Sequence, residues 1–99
     1  MEIEFDDDEL RRLYEDGAYV HPRFGRDVVK AFRKKVGLIV AANDERDIRS
    51  VRSLHYEKLA GDRTGQHSMR LNDQWRLIVR LEAKASRRVV VIIEIVDYH

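Results

Sequence analysis

The chain has no cysteine among its 99 residues. That excludes disulfides, thiolate metal sites and cysteine nucleophiles, and it suits a reducing, cytoplasmic compartment. One proline and five glycines leave few obligatory breaks, so regular elements should fill most of the chain. Aromatic residues make up only 8%, so the core must be mainly aliphatic. No apolar run approaches the roughly 20 residues needed to cross a bilayer. The acidic first segment also lacks the basic-then-apolar order of a secretion signal, so no membrane role is expected.

Charge is abundant: 37% of residues are Asp, Glu, Lys or Arg, for a net charge of +1. Its distribution is uneven. Residues 1–48 hold nine basic side chains against twelve acidic ones, whereas residues 49–99 hold ten against six. Asp6-Asp7-Asp8-Glu9 supplies much of the acidic half, and the basic half suggests a surface that faces a polyanion. Ordinary solvated charge explains the same asymmetry equally well.

Length and patterning point to a single α+β domain over residues 1–99, with N-terminal helices packed on a mainly antiparallel C-terminal sheet. Residues 3–5 alternate as a short edge strand should. Asp8 is a candidate N-cap for a helix reaching Asp16, stopped by Gly17. A longer helix is expected from about Gly25 to Ala42, with Val28, Val29, Phe32, Val36, Ile39 and Val40 as its apolar stripe. Arg33, Lys34 and Lys35 should lie mostly on its outer side. Asn43-Asp44 then caps a short helix through Ile48.

Strand signals dominate from His67 onward. A three-residue loop, Asn72-Asp73-Gln74, pairs Leu71 with Trp75 and Arg70 with Arg76, leaving one apolar face and one carrying Arg70, Arg76 and Arg80. A four-residue turn at Ala83–Ser86 would then set Arg76 opposite Ile93. In the absence of a bulge, Asp97 and His99 would share the face of Arg76. The final strand is apolar at nearly every position, as expected of a strand covered on both sides. It should hold Asp97-Tyr98-His99 still, making that triplet a candidate active site.

The run Leu59-Ala60-Gly61-Asp62-Arg63-Thr64-Gly65-Gln66-His67-Ser68-Met69-Arg70-Leu71-Asn72-Asp73-Gln74-Trp75-Arg76, together with Glu94-Ile95-Val96-Asp97-Tyr98-His99, resembles the HigB-type branch of the RelE/ParE toxin superfamily. The resemblance implies a compact RelE-like fold and a toxin of a bacterial type II toxin–antitoxin module. It further implies ribosome-dependent cleavage of mRNA in the A site, with ribosome and mRNA as partners. A HigA-like helix-turn-helix antitoxin would inhibit it and supply any contact with operator DNA. Neither a metal nor another cofactor is implied.

The residue types suit that chemistry. Cleavage at a ribose 2′-OH needs a base, a cation for the phosphorane and an acid for the leaving 5′-oxygen. The resemblance assigns these roles to Arg76, Asp97, Tyr98 and His99. His99 titrates in the useful range, Tyr98 can stack on a base, Asp97 can orient His99, and Arg76 carries a permanent forked cation. Lys58, Arg63, Arg70 and Arg80 are the expected RNA contacts.

Relatives often place Lys just before Gly-Asp-Arg and sometimes His three positions earlier. Here those positions are Ala60 and Glu57, with Lys58 and His55 two residues out of register. Two other readings stay open: a ParE-like toxin that binds a protein target such as gyrase, and a weakened toxin serving mainly as co-repressor. Trp75 reads as core, Gly61 and Gly65 as backbone devices, and His21 and His67 as surface or sheet residues.

Overall fold

A computed structural model describes residues 1–97. Its elements run β1 (Glu2–Phe5), α1 (Asp8–Glu15), α2 (Arg26–Ala41), α3 (Glu45–Ser50), β2 (Glu57–Lys58), β3 (Gln66–Arg70), β4 (Trp75–Lys84) and β5 (Arg87–Asp97). Short 3₁₀ turns at Arg52–Leu54 and Gly61–Arg63 flank β2.

Asp7 caps α1, one residue earlier than expected: its carboxylate accepts from the backbone N–H groups of Glu9 at 2.8 Å and Leu10 at 3.3 Å. This satisfies donors that the first helical turn cannot satisfy itself. The far end of α1 is closed by α2. Arg33 donates to the carbonyls of Leu13 at 2.8 Å and Asp16 at 3.1 Å, placing a cation at the negative end of the helix dipole. In α2, Val28, Phe32, Val36 and Ile39 form one fully buried stripe.

The five-stranded sheet has the order β1-β5-β4-β3-β2, with β1 parallel to β5 and every other pair antiparallel. The core joins Leu10, Leu13, Phe32 and Ile39 to Leu77, Val79, Val90 and Ile92. On the opposite sheet face, Ile78, Val89 and Val91 are also buried, which explains why β5 is apolar at successive positions. Ion pairs border that second face: Glu4 with Lys84 at 2.7 Å and Glu2 with Arg87 at 2.9 Å.

The β3–β4 hairpin has the expected register, with Arg70 opposite Arg76. Asn72 sets it, because its Oδ1 accepts from the backbone N–H groups of Gln74 at 2.9 Å and Trp75 at 2.7 Å. Such side-chain acceptance stands in for a backbone turn. The β4–β5 hairpin departs from expectation twice. Its turn is only Ala85-Ser86, with Lys84 opposite Arg87. A bulge then skips Ile93, so Ile78 faces Glu94 whereas Val79 faces Ile92. The shorter turn preserves the alternation of faces; the extra residue inverts it.

Candidate active site

The bulge decides which side chains accompany Arg76. Arg76 stands opposite Val96, and Asp97 stands opposite Trp75. Asp97 therefore projects to the helix side of the sheet, not to the face of Arg76 as an unbulged strand would require. There its Oδ2 accepts from Gln74 Nε2 at 3.1 Å. An aromatic series supports this end of the sheet: His21 stacks on Phe24 at 4.5 Å, and Phe24 meets Trp75 edge-on at 5.2 Å. Trp75 is half-buried against the core. Tyr98 and His99 lie outside the described residues.

Arg76 is 7% exposed. Its Nε donates to Ser68 Oγ at 2.9 Å, and its Nη2 donates to the His55 carbonyl at 2.6 Å. Glu57 lies 3.9 Å away. The guanidinium is thus a fixed positive charge tied to β3 and to the turn before β2. The residue it holds, His55, adopts a left-handed conformation at φ 46° and ψ 53°. Non-glycine residues rarely take it, and it persists only where neighbours enforce it.

The turn is braced from its other side. Tyr56 stacks flat on His67 at 4.6 Å and donates its hydroxyl to Glu45 at 3.1 Å. Burial first, with Glu45 adding to it, pushes the Tyr56 phenol well above its usual range, so it remains a neutral donor. Burial also pulls the His67 pKa down despite Glu45, and His67 Nδ1 is buried without a hydrogen-bond partner. His67 is accordingly a neutral structural residue. His21 accepts from the Arg23 N–H at Nδ1 and lies 3.1 Å from Glu9 at Nε2; it too is structural, a buried loop anchor and not a surface residue.

Arg70, Arg76 and Arg80 share the face away from the helices, as expected from alternation. Arg80 lies roughly 13 Å along β4 from Arg76, at ~3.3 Å per residue. Arg63 reaches the same face by bonding Gln66 at 2.9 Å and pairing with Glu94 on β5. Lys58 is elsewhere. It stands opposite His67, which stands opposite Val79, so it rises on the helix side and does not join Arg76.

The arginine face carries its own counter-charges. Arg70 pairs with Asp73, Arg80 with Glu82 at 2.8 Å and Asp6 at 3.7 Å, and Arg63 with Glu94. The acidic N-terminal cluster is similarly engaged: Asp7 caps α1, Asp8 pairs with Arg11, and Glu9 meets His21.

Beside Arg76 lies a cleft of about 270 Å³ lined by His55, Arg70, Asn72, Asp73 and Arg76. It adjoins a second of about 430 Å³ that shares His55, Arg70, Asn72 and Asp73 and extends to Ser53 and Lys35. Lys35 was expected on the outer side of α2, yet it is 9% exposed. The signal was present in the spacing, since position 35 continues the row 28, 32, 39 on one helical stripe.

Residues 3–99 match the HigB-like toxin family, described as RelE-like toxin of the type II toxin–antitoxin system HigB. The chain belongs to this family. It is 35% identical over 78 residues to toxin HigB-1 of Vibrio cholerae serotype O1, covering 79% of this chain and 81% of that protein. The fold is also that of a YoeB/ParE toxin from Agrobacterium tumefaciens, at TM-score 0.56 and 17% identity over the whole of both chains. This HigB-like toxin is therefore the toxin half of a type II module, and the module implies an antitoxin partner. Among the described residues, no helix is long and apolar enough to cross a membrane.

Proposed function

We propose that this toxin is an mRNA endoribonuclease that works in the ribosomal A site without a metal and is restrained by a HigA-like antitoxin. The observation that carries the reading is the setting of Arg76. Two buried or partly buried hydrogen bonds hold its charge at the wall of an open cleft, one residue pair away from the end of β5 that leads into Tyr98 and His99. A preorganised cation of this kind stabilises charge that develops in a transition state without reorganising.

In this scheme Arg76 faces the phosphorane, while Arg70 positions the incoming strand from the same cleft. His99 exchanges the proton of the 2′-OH or the 5′-oxygen, Tyr98 stacks on a base, and Asp97 orients the end of the strand from the helix side. Arg63 and Arg80 extend the cationic face along the sheet. The reading is tested by mapping 5′ ends of cellular mRNA after induction, beside a His99→Ala control. New ends within translated codons, absent from the control, are expected. Growth arrest with no new 5′ ends would assign the toxin a target other than mRNA.

A further inference from the structure

Lys35 is a charged side chain on the otherwise apolar stripe of α2. It is nine-tenths buried on α2, beside the fully buried Val36 and between Phe32 and Ile39. Among the described residues, no carboxylate pairs with it. The charges that act on it are Lys34 and Arg70, both positive; burial, followed by these two, lowers its pKa. An ammonium partly desolvated beside two positive charges is unfavourable in the empty protein. Methionine or leucine at this position would complete the stripe at no electrostatic cost.

The side chain lines the 430 Å³ cleft, together with Ser53, His55, Arg70, Asn72 and Asp73. Two of these are already committed. Asn72 donates to Asp27 at 2.9 Å and accepts from the hairpin backbone, so it is a fixed wall. Asp73 pairs with Arg70 but is 93% exposed at its side chain. An exposed pair of this kind is weak, so an incoming anion can take Arg70 from Asp73 with little loss.

We infer that this cleft is a phosphate subsite in which Lys35 is the fixed cation and Arg70 the exchangeable one. Its occupant is a backbone phosphate of the RNA strand. The assignment to RNA rests on the function proposed above. The geometry favours it because the cleft continues, through His55, Arg70, Asn72 and Asp73, into the one walled by Arg76. A strand crossing both places one phosphate at Lys35 and another beside Arg76. Lys35 is then a positioning residue that sets the strand's register before any bond breaks.

The test uses two probes, inorganic phosphate and a 2′-O-methyl RNA hexamer, which binds but lacks the hydroxyl needed for cleavage. Phosphate titrated against chloride at constant ionic strength should shift the amide signals of Lys35, Ser53 and His55 saturably. Lys35→Met should abolish those shifts and weaken hexamer binding about tenfold, the scale of one charge-assisted hydrogen bond. It should also lower the salt slope by about one phosphate contact. Lys34→Met, at the exposed neighbour, should leave both unchanged. Without ligand, Lys35→Met should raise the melting temperature by several degrees, whereas loss of a purely structural lysine would lower it.

Absence of saturable shifts, or wild-type phosphate binding by Lys35→Met, overturns the subsite. Phosphate binding lost with hexamer affinity intact overturns its assignment to RNA. Neither readout requires catalysis, so a failed nuclease assay leaves this result standing on its own.

Discussion

Arg76 donates to the carbonyl oxygen of His55 across 21 positions of sequence, at 2.6 Å, while His55 sits in a left-handed backbone conformation. The sheet thereby holds a strained turn in place, and the turn in turn completes the wall of the cleft. Removing the guanidinium leaves a partly buried carbonyl and the buried Ser68 hydroxyl without their donor. Arg76→Ala should therefore cost about 2–4 kcal/mol in urea unfolding, with faster amide exchange at residues 55–57. Arg76→Lys should keep the charge but lose the two-point grip. If Arg76→Ala unfolds at the wild-type urea midpoint, the turn does not depend on it.

The Ala85-Ser86 turn carries its own strain. Ala85 lies at φ 54°, a conformation that costs an L residue roughly 1–2 kcal/mol and glycine very little. Ala85→Gly should accordingly raise stability by about 0.5–1 kcal/mol, after allowance for glycine's greater freedom in the unfolded chain. Calorimetry would show this as a gain of a few degrees. A loss of stability would place Ala85 at negative φ and demand a different turn.

Acid should weaken the protein through His67. Burial holds its folded-state pKa below the ordinary 6.5, so the unfolded chain binds the extra proton first as pH falls. The contribution of neutral His67 is fully present above pH 6.5 and is lost as pH descends through the folded-state value. His67→Gln should flatten that part of the stability–pH curve. An unchanged slope in His67→Gln would assign the acid sensitivity to other groups.

Charge reversal in the acidic cluster will not give one uniform result. Asp7 caps α1, so Asp7→Ala should cost about 1 kcal/mol of stability and confound any binding assay. Asp8 is exposed in the first turn of α1 and pairs with Arg11, so Asp8→Lys should cost about 0.5–1 kcal/mol through the helix dipole and leave the cap intact. If a basic antitoxin segment docks on this turn, Asp8→Lys should slow association more than it speeds dissociation. Identical association rates at low salt would move the docking surface elsewhere.

The hairpin that pairs Arg70 with Arg76 was legible because Asn72 has a local, sequence-visible reason to close a three-residue loop. Helix α2 was legible for the same kind of reason, its stripe recurring at helical spacing. The placement of Asp97 was not. Its side of the sheet depends on one surplus residue at Ile93, and in a run of Val and Ile nothing distinguishes the position that bulges. Lys35 was readable in its spacing, but lysine on a helix is ordinarily a solvated residue, and the cleft that receives it is built by segments 18 to 38 positions further on. The face of Lys58 was not legible either, since the two-residue strand β2 offers too short a pattern to fix it.

The parallel contact between residues 2–5 and 89–92 has a consequence for biosynthesis. Strand β5 lies between β1 and β4, so β1 has no neighbour in the sheet until residue 92 has been made. At ~5–20 residues per second, β1 waits on the order of ten seconds for its partner. Once residues 75–84 have been made, β4 is an unprotected edge, open to pairing with another chain, until β5 covers it. Closure of a loop this long also makes the final step slow relative to forming the helices. A ribosome that stalls before Val89 therefore releases a fragment unable to complete the sheet, and toxicity should appear only in chains extended beyond that point.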